Sequence, residues 1–178
     1  MPKSSQSPSG FTVPFNESEV PWDTLSEGTK FGNRWRALGK FGGGSHIGVS
    51  VEELPPGKQS VPFHYHLLEE EHMYVLSGTA TLRLGDKRYT MKAGDYCCFP
   101  AGQKAGHCLI NESTDVFRFI MIGENNPNEV CVYPDGNRVG VRGLGQGFEL
   151  TATKEYWAGE NTKIEDTKAE KTNGEEAK

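Results

Sequence analysis

Apolar residues in this chain fall in short runs broken every few positions by Gly, Pro, Asp or Asn. No stretch sustains the 3.6-residue repeat of an amphipathic helix. The pattern predicts strands at 34–39, 45–54, 60–66, 71–77, 79–85, 87–91, 96–99, 106–111, 115–122 and 130–133. Gly85-Asp86, between the β-type runs LRL and RYTM, marks a hairpin turn. Leu76-Ser77-Gly78 and Lys92-Ala93-Gly94-Asp95 mark two further tight turns. Many short strands closing on one core predict an all-β barrel or jelly roll with little helix.

Composition divides the chain into three zones. Residues 1–30 are rich in Ser, Pro, Glu and Asn and carry isolated aromatics at Phe11, Phe15 and Trp22. They are expected to form an extended N-terminal arm that tucks those rings onto a body. Residues 31–150 hold the strand pattern and are expected to form the barrel. Residues 151–178 are expected as a charged, mostly disordered tail, because from Asn161 onward Lys, Glu and Thr dominate and no apolar face remains to be buried.

Charge and cysteine content narrow the partners. A net charge of −5 supplies no basic footprint for nucleic acid or an anionic membrane. No apolar run approaches the ~20 residues of a membrane span. The N-terminus lacks the apolar segment of a secretory signal, so the expected location is cytoplasmic. Cys97, Cys98, Cys108 and Cys131 include no CxxC pair. Neighbours on a strand point to opposite faces, so Cys97 and Cys98 are not expected to bond each other, and all four read as ordinary buried thiols. Gly42-Gly43-Gly44 lacks the following Lys-Ser/Thr and helix of a phosphate loop and reads as a strand connection. Arg118, inside the apolar run VFRFIMI, is expected to point outward or into an interface.

The candidate chemistry lies in two segments, GKQSVPFHYHLLEEEHMYVLSG and GDYCCFPAGQKAGHCLIN. His64 and His66 are two residues apart, so on a strand both face one side at about 6.5–7 Å along the backbone. Two such imidazoles can converge on one ion at metal–nitrogen distances of about 2.0–2.1 Å. Parity from His66 does not choose among Glu69, Glu70 and Glu71, because Leu67-Leu68 turns the chain. Glu71 directly precedes the strand MYVL and shares a face with Met73 and Val75, which makes it the best-placed carboxylate. His72 then points the other way and is left out. His107 opens the strand CLIN, with Leu109 and Asn111 on its face. The acids Glu69 and Glu70 read as solvated. Three imidazoles and one carboxylate suit Zn, Fe, Mn, Ni or Co as divalent ions, and two positions of a six-coordinate metal stay open to water or substrate.

These residues resemble the two motifs of the cupin family. Gly57, His64, His66, Glu71 and Gly78 match the first, with Gly57 one residue further from the first histidine than the pattern has it. Gly94, Pro100, Gly102, His107 and Asn111 match the second, with four residues rather than two between Gly102 and His107. The likeness runs from about Phe31 to Val141 and is similar to that of single-domain, conserved-barrel bacterial cupins. It implies a double-stranded β-helix in which His64, His66, Glu71 and His107 carry the metal. It also implies pairing of two copies as a homodimer and a small-molecule ligand. The family hosts isomerases, dioxygenases, decarboxylases, lyases and binding modules, so the likeness leaves the reaction open. The expected function is a metalloenzyme of isomerase-like or dioxygenase-like chemistry on a small metabolite. The alternative is a non-catalytic cupin that binds a sugar or carboxylate.

Overall fold

The computed structural model describes residues 12–160 and Thr162. Most of the expected tail, and Phe11 of the expected arm, lie outside the described residues. Among the described residues the chain forms β1 (Asp23–Glu27), β2 (Phe31–Ala37), β3 (Ile47–Leu54), β4 (Tyr65–His66), β5 (Glu71–Ser77), β6 (Thr79–Leu84) and β7 (Lys87–Lys92). It continues through β8 (Tyr96–Phe99), β9 (His107–Ile110), β10 (Phe117–Glu124), β11 (Val130–Tyr133), β12 (Arg138–Val141) and β13 (Gln146–Glu149). One short helix, α1 (Leu38–Phe41), precedes the triple glycine.

The strands form a jelly-roll barrel, a double-stranded β-helix with antiparallel ladders. One wall is a six-stranded sheet in the order β1-β2-β3-β10-β5-β8. Facing it are a three-stranded sheet, β7-β6-β9, and a four-stranded sheet, β13-β12-β11-β4. An isolated antiparallel bridge between His64 and His107 joins the two smaller sheets.

Register explains where the core and the polar inner residues fall. Glu52 lies opposite Trp35 on one side and Phe119 on the other, and Phe119 lies opposite Val75. The next inward row holds Ser50, Met121, Met73 and Cys97, and the row beyond it Gly123, Glu71 and Phe99. Side chains that alternate along a strand share a face every second residue, so one inner face grades from apolar to polar. Its apolar end packs Leu54, Met73, Val75, Phe117 and Phe119 with Leu82, Met91, Phe99 and Leu109 from both walls. Each such fully buried side chain stabilises the fold by about 1.5–3 kcal/mol.

Gly78 turns the chain from β5 into β6, which belong to different walls. Its φ is +79°, and a Cβ there would lie 2.5 Å from the Val116 carbonyl oxygen. The Gly85-Asp86 hairpin holds Leu84 opposite Lys87, as its sequence predicts.

Four local expectations are corrected. Only Tyr65–His66 of the 60–66 segment is strand, with a single bridge at His64, because Pro62 has no N–H to donate to a ladder. The segment after β2 closes as α1 instead of extending the strand to 39. Asp23–Glu27, inside the expected arm, pairs with β2 as an edge strand. Residues 138–141 and 146–149 are strands whose glycines disguised them. The described part of the arm does dock its rings. Phe15 meets Phe41 edge-on at 4.9 Å, and Trp22 lies under both Arg34 and Arg36 at 4.5 Å. Arg118 points outward and pairs with Glu17 of the arm and with Glu53.

Candidate metal centre

Three elements bring the four sequence-predicted residues together. His66 is in β4 and His64 just precedes it, Glu71 opens β5, and His107 opens β9. The His64–His107 backbone bridge, with N···O distances of 2.7 and 3.2 Å, fixes two of the rings side by side. Gly123, opposite Glu71, leaves room for its carboxylate: a Cβ there would lie 3.1 Å from the Glu71 Cγ.

One ligand atom from each of His64, His66, Glu71 and His107 lies within 4.8 Å of every other. His64 Nε2 is 3.1 Å from His66 Nε2. Glu71 Oε2 is 3.2 Å from His107 Nε2 and 3.3 Å from His66 Nε2. Donors bound at right angles about 2.1 Å from one ion stand about 3 Å apart, so the spacing fits a single first-row divalent cation.

The rings are held from behind. His64 Nδ1 donates to the Pro62 carbonyl at 2.8 Å, which leaves its Nε2 lone pair facing inward. Burial, then the positive fields of His107 and His66, lower the His64 pKa to about 4, so the ring is neutral and ready to ligate at pH 7. His107 stacks on Phe99 with centroids 3.9 Å apart. His66 Nδ1 is buried without a hydrogen bond and sits 3.4 Å from both Glu69 and Glu129. Burial alone would lower the His66 pKa, but the carboxylates of Glu71, Glu129 and Glu69 outweigh it and raise it. Burial likewise pushes the Glu71 carboxyl up, yet His107 and His66 hold it well below the usual carboxylate range. A cation entering this nest takes the place of the hydrogen bonds from His66 and His107 to Glu71 and displaces the proton that the raised pKa favours on His66.

Several functional residues escaped the sequence. Glu129, 1% exposed, accepts from the Leu67 and Leu68 amides and stands behind His66. Glu69, expected to be solvated, is buried and clamped by Arg142 and the Asn126 amide. Glu52 faces inward near Glu71, and burial raises its pKa against hydrogen bonds from Ser50 and Asn33. Strand parity could have found Glu52, since it shares a face with the core residue Leu54. Nothing near Glu129 in the sequence announces a partner more than sixty residues away.

The remaining histidine and thiols behave differently. His72 faces outward, bonded to Tyr96 and Glu70. All four cysteines are free, and burial pushes Cys108 and Cys131 up to about 11, so both are thiols at neutral pH.

A cavity of about 370 Å³ opens onto the centre, walled by Phe99, Phe119, Leu82 and Leu109 and edged by Tyr133 and Arg138. Arg138 stacks on Tyr133 at 4.0 Å and has no carboxylate partner among the described residues.

A barrel of this topology with its polar nest at the seam of two sheets defines a class, and comparison with known proteins agrees. Residues 50–123 match the model of the cupin domain family. The matched stretch contains His64, His66, Glu71 and His107. A candidate sugar phosphate isomerase from Acidithiobacillus ferrooxidans superposes with a TM-score of 0.66 at 29% identity, over 70% of this chain and 80% of that one. A sugar phosphate isomerase of the cupin superfamily from Silicibacter pomeroyi gives 0.66 at 26% identity, over 71% and 85%. A polyketide cyclase from Streptomyces resistomycificus shares the fold at a TM-score of 0.55 and 21% identity, over 63% of this chain and 78% of that one. No curated protein matches the chain.

Proposed function

We propose that the chain holds a divalent transition metal through His64, His66, Glu71 and His107 and is an isomerase acting on a small, oxygen-rich, anionic metabolite. The observation that carries this reading is the convergence of three imidazole nitrogens and one carboxylate oxygen at the floor of the 370 Å³ cavity. When bound, such a metal polarises a carbonyl or hydroxyl oxygen as a Lewis acid. The remaining work falls to the chain. The aromatic and aliphatic walls exclude bulk water, and the unpaired guanidinium of Arg138 at the mouth suits an anionic end. Glu52 lines the same cavity, and its raised pKa equips it to take a proton from a substrate carbon and return it to the next. The likeness to two sugar phosphate isomerases above 25% identity supports the same substrate class.

Incubation of metal-loaded protein with a panel of aldose and ketose phosphates in D2O tests the reading. Proton NMR is expected to show deuterium entering the carbon beside the carbonyl, and neither chelated protein nor His66→Ala is expected to support it. Saturable binding of these sugars without deuterium incorporation would replace the enzyme reading with that of a binding protein.

A further inference from the structure

Beside the metal centre lies a second cavity of about 440 Å³, on the side of the six-stranded sheet. Glu52, Val61, His66, Glu71, Met121 and Arg142 line both spaces, so the centre sits in a shared wall. The second space has its own polar corner. Asn33 donates through Nδ2 to Glu52 at 3.0 Å, and Ser50 donates to the other Glu52 oxygen at 2.8 Å. Asn33 is only 8% exposed, yet its Oδ1 has no hydrogen-bond partner. A buried acceptor left unmade is costly, and this one lines the cavity and calls for a donor from outside the chain. Trp35, directly across the ladder from Glu52, adds an apolar ring face to the same space.

The charges set the kind of donor. Glu52, Glu69, Glu71 and Glu124 line the chamber against Lys40 and Arg142, and Arg142 is already held by Glu69. An anion is disfavoured there, whereas a neutral hydroxyl can donate to Asn33 Oδ1 while its carbon skeleton lies along Trp35. We infer that this chamber is a subsite for the neutral, polyhydroxylated part of the substrate, a placement that rests on the proposed function only for putting the reacting end at the metal. Asn33 and Glu52 recognise adjacent hydroxyls there, and Trp35 packs on the carbon face between them. The anionic end then points the other way, toward Arg138 at the mouth of the first cavity.

Xylitol is a suitable neutral probe. Titrated into zinc-loaded, isotopically labelled full-length protein, it is expected to shift the Trp35 indole and Asn33 side-chain NMR signals saturably. Chelator-treated protein is expected to respond the same way. Asn33→Leu removes the acceptor and is expected to weaken xylitol at least tenfold. Glu52→Gln keeps the shape of the site and offers Asn33 Oδ1 an internal N–H, so it is expected to weaken xylitol too, even if the leucine variant fails to fold. Absence of saturable shifts in the unaltered protein, or shifts confined to first-cavity residues such as Phe99, would overturn the subsite. So would an undiminished affinity in Glu52→Gln. Zinc content measured on the zinc-treated sample keeps the two readings apart: xylitol binding by a sample that fails to retain stoichiometric zinc after loading would remove the proposed function and leave the subsite standing.

Discussion

Glu71 and His72 are adjacent on β5, yet they belong to clusters of opposite character. Inward, Glu71 meets His64, His66 and His107 in a buried nest where the Nε2 atoms face one another and a single carboxylate. Outward, His72 lies with Glu70 and Cys98, whose ligand atoms are as close together as those of the inner set. There, however, both ring nitrogens are already used, one by the Tyr96 hydroxyl at 2.7 Å and one by Glu70 at 3.0 Å. The Glu70 side chain is also 47% exposed, so water competes for its charge. Proximity of ligand atoms is therefore common to both faces. What separates them is that the inner rings are pinned from behind, by Pro62, Phe99 and the Glu69–Glu129 pair, with a lone pair left over.

The strongest way to break this comparison is to remove one inner ring. His66→Ala is expected to lose stoichiometric metal while circular dichroism shows an intact barrel, and full metal content in that variant would end the assignment. Next in size is the support behind the ring. Glu129→Gln is expected to lower metal affinity about 10–100-fold, as outer-shell partners of ligating histidines do. Competition against a chelator measures it, and an unchanged affinity would mean that His66 is placed by its strand alone.

A third test uses pH to probe a buried inward-facing carboxyl. The folded-state pKa of Glu52 is raised above its unfolded value, so its contribution to stability is most favourable below about pH 4.5. That contribution is lost as pH rises through the raised value. Glu52→Gln, which carries no charge, is expected to melt about 2–4 °C higher than the unaltered protein at pH 8 for each kcal/mol regained. The gap is expected to close at pH 4. The smallest effect belongs to the outer cluster: His72→Ala is expected to keep its metal and to change stability by less than about 1 kcal/mol, read by denaturant titration.

Much of this arrangement is legible in the sequence. Alternation on MYVL placed Met73 and Val75 in the core and turned His72 outward, because a two-residue period leaves little freedom once one face is buried. The spacing of His64, His66 and His107 within turn-bounded runs marked the residues that the fold brings together. What stayed hidden depends on distance along the chain. Glu129 reaches His66 from a loop before β11, and Asn33 reaches Glu52 from a neighbouring strand, contacts that no local pattern encodes. Glu69 hides for a related reason: a run of three acids looks solvated until Arg142, seventy-three positions on, folds back to pair with the first of them.

The bridge between His64 and His107 also bears on how the molecule is made. It joins β9 to the segment entering β4, and so links the two smaller sheets through stretches that are far apart in sequence. Pairings of that kind form late, because a long loop must close before they repay its entropy. A chain still emerging from the ribosome, with β9 not yet made, has His64 and His66 but no pocket to hold an ion. Metal uptake would thus report that the seam between β9 and the segment entering β4 has closed, and an ion bound there would lock that seam.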